Sequence, residues 1–193
     1  MKRVLLLLAA AALVISGCQV LYPQSPPGAF TPIPPLPKAT LPAAASAEVY
    51  DTGDCRIEAL DLIGAWVEGG KPDSATFRFT ALDGRACQGN YENDVQPLFT
   101  TPNLWYSGAI ACTACHGADL KRAAGQMSLV DYSGVLAGSR RTDPTLPGND
   151  ILGGADGWEK ALLYINVHQR IMPIGRPPDS PADGPVVQAG KER

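Results

Sequence analysis

The chain has 193 residues, of which 45% are hydrophobic and 18% charged, with a formal charge of −3. That composition suits a packed globular domain, and a mildly acidic chain without a basic run gives no reason to expect a nucleic-acid partner. No internal repeat, glycine-rich phosphate loop or triad-like residue set is present.

The first residues carry an export pattern. Lys2-Arg3 precede an apolar run over residues 4–15 and then Ser16-Gly17-Cys18, the layout of a secretory signal. The run is shorter than the ~20 residues a membrane-crossing helix requires. Residues 15–18 resemble a bacterial lipobox, in which Cys18 becomes the lipidated first residue of the mature chain. The expected organisation is a signal peptide at 1–17, a lipidated tether at 18–49 and a folded domain at 50–193. Eight of the twenty residues from Pro23 to Pro42 are proline, which favours extended polyproline II over a core. Without Lys2 and Arg3 the chain holds 14 basic and 19 acidic residues. Nine of each sign lie after Ala111, so that part is balanced and the earlier part is acidic.

Within the folded part, residues 58–69 have apolar spacing for a buried helix ended by Gly69-Gly70 and Pro72. Residues 75–82 alternate Phe77 and Phe79 with polar side chains before Asp83-Gly84, a hairpin signal. Residues 93–100 predict a short helix with Val95, Leu98 and Phe99 on one face, and 128–136 another. The clearest helical pattern covers residues 158–171, with Asp156 placed to cap it and Glu159 in its first turn.

Between these elements lies Cys112-Thr113-Ala114-Cys115-His116, the C-x-x-C-H pattern of covalent haem attachment. Two cysteines three apart on one helical turn reach the two vinyl groups of one porphyrin, and the adjacent histidine is the proximal iron ligand. A zinc ribbon needs a second Cys or His pair, and a thioredoxin-like motif needs a strand–helix–strand setting. Neither is present. The expected cofactor is one covalent haem c held by Cys112, Cys115 and His116. With Cys18 lipidated, Cys55 and Cys87 remain, and in an oxidising compartment they are expected to pair as a disulfide.

Met172, followed by Pro173 at the exit of the strongest helix, is the candidate sixth ligand, since thioether ligation suits electron carriers. His168, one helical turn earlier, and Met127, eleven residues past His116, are the alternatives.

The stretch from Asp94 to Pro178, through Val95-Gln96-Pro97-Leu98-Phe99, the haem motif and Met172-Pro173, resembles a monohaem class I cytochrome c. More generally the chain is similar to the small lipoprotein monohaem subunit of alternative complex III. The resemblance implies an all-α, cytochrome c-like helical domain around one haem. The family's last helix is missing after Met172, while a similar segment with Trp66 occurs before the motif. A circularly permuted terminal helix and a small β-hairpin are therefore expected variations, the alternative being a separate lobe stapled by Cys55 and Cys87. The implied function is single-electron transfer in a respiratory or photosynthetic chain, as a shuttle or as a subunit of a quinol-oxidising complex. No catalysis and no small-molecule substrate are implied. The partners would be redox proteins or other subunits, with the lipid holding the chain to the outer face of a bacterial membrane. A haem-based ligand binder or sensor with a labile sixth ligand is the alternative.

Overall fold

The computed structural model describes residues 54–193; the expected signal segment, Cys18 and the whole of the tether lie outside them. Strand β1 (Cys55–Glu58) alternates buried and exposed side chains, as a half-buried strand must. It pairs antiparallel with β4 (Val186–Ala189), Cys55 opposite Ala189. Helix α1 (Ala59–Glu68) follows without a loop and buries Leu60, Leu62, Ile63 and Trp66. No side chain caps it; instead the amides of Ala59 and Leu60 donate to the carbonyls of Pro185 and Asp183 at 3.0 and 2.9 Å. Those bonds satisfy donors that the first turn of a helix leaves open.

Strands β2 (Phe77–Thr80), β3 (Ala86–Gly89) and β5 (Lys191–Glu192) form a second antiparallel sheet in the order β2-β3-β5. The β2–β3 turn relies on Gly84, whose φ of +85° is open to glycine at no steric cost. A disulfide between Cys55 and Cys87 joins the two sheets, with Cα atoms 6.5 Å apart and both residues buried. A π-helical turn (Tyr91–Val95) and helix α2 (Pro97–Thr100) come next. Buried Asp94 accepts from Asn90 N at 2.7 Å and from Gly190 N at 2.6 Å, tying this turn to the C-terminal strands. Trp66 is fully buried, its ring 5.0 Å from that of Tyr91.

From residue 101 to 181 regular structure is sparse. It contains α3 (Tyr132–Ala137), α4 (Leu162–His168) and several single 3-10 turns. Arg176 supports this stretch from inside. It is buried, it donates to Val167 O at 2.7 Å, Ser180 Oγ at 3.0 Å and Ala182 O at 3.1 Å, and it lies 5.7 Å over the Trp105 ring.

The architecture corrects the all-α expectation. Four short helices share the described residues with two antiparallel sheets, so the chain is not the all-helical, permuted cytochrome bundle expected. The physical reason lies at the two ends of the described chain. The segment 55–58 pairs with 186–189, and 191–192 add to β3, long-range pairings that helical periodicity does not reveal. Two element boundaries also move. The helix expected over 158–171 breaks into a 3-10 turn (Trp158–Lys160) and α4, and no side chain, Asp156 included, caps either piece. The helix expected over 128–136 starts later, capped by Asp131.

Candidate functional site

The C-x-x-C-H motif forms a 3-10 turn (Cys112–Ala114), with Cys115 N and His116 N both donating to Cys112 O at 3.2 and 2.9 Å. This tight reversal presents the two thiols and the imidazole from one short loop. Neither Cys112 nor Cys115 is in a disulfide. Cys112 is the more enclosed, and burial pushes its thiol up to about 11; its Sγ lies 3.9 Å from Leu98 O.

His116 is buried, only 7% exposed. Its Nδ1 is 2.8 Å from the carbonyl oxygen of Ala124. A carbonyl only accepts, so Nδ1 carries the proton and Nε2 keeps its lone pair. Such a backbone partner fixes both the ring orientation and the tautomer of a metal-binding histidine. The loop that supplies Ala124 is itself anchored, because Ala124 N donates to Cys115 O at 2.8 Å and Leu129 N to His116 O at 2.9 Å.

Cys112, Cys115, His116, Met127 and Met172 all line one cavity of about 330 Å³, within the ~300–1,000 Å³ common for cofactor and ligand sites. Its remaining walls are largely apolar, with Phe99, Leu129, Ile151 and Val167 among them. Two hydrogen bonds hold the Met172 segment: Met172 N donates to Asn166 O at 3.0 Å, and the Tyr106 hydroxyl donates to Ile174 O at 2.5 Å.

The structure therefore brings together the two motif cysteines, His116, Met127 and Met172. His168 is not on this lining. It pairs through Nδ1 with Asp183 at 2.8 Å and stacks on Tyr164 with ring centroids 5.1 Å apart. Cys55 and Cys87 are spent in the disulfide, and Cys18 lies outside the described residues. Sequence reasoning missed Ala124, which acts through its carbonyl and so leaves no side-chain signal. It also missed Arg140, exposed on the cavity rim without an ion pair among the described residues.

The donor set decides what the cavity can hold. Among the described residues no three His, Cys, Asp or Glu side chains converge as a cage for a bare metal ion. Two free thiols, one imidazole with Nε2 available, and thioethers on a largely apolar wall are the donor types that would hold a covalently attached iron porphyrin. No helix of the described residues is long and apolar enough to cross a membrane. The chain matches no family model, no curated protein and no solved structure.

Proposed function

We propose that this chain is a monohaem c-type cytochrome that carries single electrons. The observation that supports this most is the shared cavity of Cys112, Cys115, His116 and Met172. Haem c supplies a reversible one-electron couple there. Cys112 and Cys115 hold it through thioethers, and His116 binds the iron through Nε2, oriented by the Ala124 carbonyl. Met172 would hold the iron through its thioether, which would raise the reduction potential, and Met127 is the second thioether on the same lining. The apolar walls exclude water and lower the local dielectric, which further tunes the potential. In this reading Cys18 carries lipid and holds the exported protein to the outer face of a bacterial membrane. There it serves a quinol-oxidising chain as a shuttle or as a fixed subunit.

The test is production of the full chain with an intact haem-attachment pathway. A red protein whose haem stays bound after denaturation, with a mass increased by one macrocycle, is the expected result. Cys112→Ala with Cys115→Ala should abolish the covalent haem. The reduced wild type should resist carbon monoxide, while Met172→Ala should bind it at once. Colourless protein of unmodified mass overturns the proposal, and immediate carbon monoxide uptake by wild type moves the function to ligand binding. Cys18→Ala should release the protein from membranes.

A further inference from the structure

A second, larger cleft of about 700 Å³ lies away from the cysteine motif. One wall is a stripe of α1, Asp61, Gly64, Ala65 and Glu68, at the spacing that shares one helix face. The other wall is strand β2 with the preceding Thr76, and Trp158, Glu159 and Tyr164 also line it.

Three features give this cleft a ligand preference. The first is a strand edge. β2 is the outer strand of its sheet. Arg193 N donates to Ala86 O at 3.1 Å, so the Ala86 peptide group faces β5 rather than β2. By the alternation of antiparallel ladders, Phe77 and Phe79 then bond to β3, while the peptide groups of Arg78 and Thr80 face outward. Further along, Leu82 N is taken by Arg56 O at 2.8 Å, which leaves the open edge at residues 76–80.

The second feature is an open donor. The indole N–H of Trp158 makes no hydrogen bond among the described residues, and its nitrogen is accessible at the cleft rather than sealed in the core. The ring is locked against α1, because a Cβ on Gly64 would fall 2.6 Å from its Nε1. The third is charge. The lining carries Asp61, Glu68 and Glu159 against Arg78 alone, and none of the four is in an ion pair among the described residues.

We propose that this cleft binds an extended, lysine- or arginine-bearing segment of a partner protein, added to the edge of β2 as a further strand. Edge addition draws its affinity from main-chain bonds and its selectivity from alternate side chains. The backbone of the segment pairs with Arg78 and Thr80, a carbonyl accepts from Trp158 Nε1, and cationic side chains lie against Asp61, Glu68 and Glu159. The inference is independent of the haem reading.

The probe is a capped peptide alternating lysine and valine, long enough for about six strand residues, with a glutamate–valine peptide as its control. Both are titrated into the isotope-labelled full chain. The lysine peptide should slow amide exchange at Arg78 and Thr80 and shift the Trp158 indole resonance, and the glutamate peptide should do neither. Glu159→Gln combined with Asp61→Asn, surface changes that leave the fold intact, should weaken binding by about tenfold. Failure of the lysine peptide to bind, equal effects from both peptides, or shifts elsewhere overturn the proposal. So does slow exchange at Arg78 and Thr80 in the free chain: if concentration-dependent it assigns the edge to a second copy, and if not, to residues preceding Asp54.

Discussion

The stretch 54–100 with its partner strands 186–192 is built differently from the stretch 101–181. The first is cross-linked at every scale: two sheets, a buried disulfide, the Asp94 tie to Gly190, and Trp66 against Tyr91. The second holds helices of six and seven residues, far below the ~12–15 at which isolated helices become marginally stable. Its non-glycine residues Asn103, Gln126, Arg140 and Arg170 have φ between 51° and 62°, a left-handed geometry that costs free energy unless the surroundings impose it. The contrast teaches where stability resides. The first stretch is tied together by its own cross-links, whereas the second supplies most of the lining of a cavity, and one buried core runs through both.

The largest expected effect tests the stapled half. Cys55→Ala with Cys87→Ala opens a loop of sequence separation 32 and should lower the unfolding free energy by roughly 3–4 kcal/mol in the chain-entropy model. Urea denaturation measures the loss. Amide exchange should accelerate first at 55–58 and 86–89. Acceleration that starts around Cys112 would erase the contrast.

The next effect tests the cavity half with both motif thiols free. Burial raises the Cys112 thiol from 9.0 to about 11. Between those values the folded chain keeps a proton that the unfolded chain releases, so stability is intact below pH 9 and falls as pH rises toward 11. The loss should be about 2–3 kcal/mol, read as a falling unfolding midpoint in protein with both motif thiols free. Cys112→Ala should remove that slope, and under the proposed function haem attachment would remove it too because the thiol is consumed.

The same division explains what was legible in the sequence. Local signals worked where one neighbourhood decides the structure: the helix ending at Gly69, the Asp83-Gly84 turn, and the tight loop at Cys112. Pairing Cys55 with Cys87 was legible by elimination, since the other three cysteines had assignments. The β1–β4 ladder was not, because it joins residues more than 100 positions apart whose short alternation is weak in each segment alone. The break before α4 was hidden for a different reason. Apolar spacing continues from Trp158 to Ile171, but Ala161 takes an extended conformation (φ −63°, ψ 140°) that sets Trp158 apart from the helix. At the cavity, side-chain donors were readable and the carbonyl orienting His116 was not.

A smaller effect tests how the short helices of the cavity half begin. Asp131 accepts from Gly134 N at 2.7 Å and from Ser133 Oγ at 2.9 Å, satisfying one amide that the first turn of α3 leaves open. Asp131→Ala should cost about 1 kcal/mol, and Asp131→Asn, which keeps an acceptor, much less. Thermal unfolding of the three proteins separates capping from charge.

The smallest effect has the opposite sign and lies on the cleft wall of α1. Burial, and then the nearby Asp183 carboxylate, hold the Asp61 carboxyl above its ordinary range. A carboxyl raised in the folded state is a cost once it ionises, so the penalty is absent in acid and present at neutral pH. Asp61→Asn should therefore stabilise the protein at pH 7 by less than about 0.5 kcal/mol, the scale of exposed substitutions, and the gain should vanish below about pH 3. Denaturation at both pH values measures it. A stabilised variant that has lost affinity for the lysine peptide would show that the stapled half gives up a little stability to keep its open edge acidic, whereas the cavity half gives it up to keep a space.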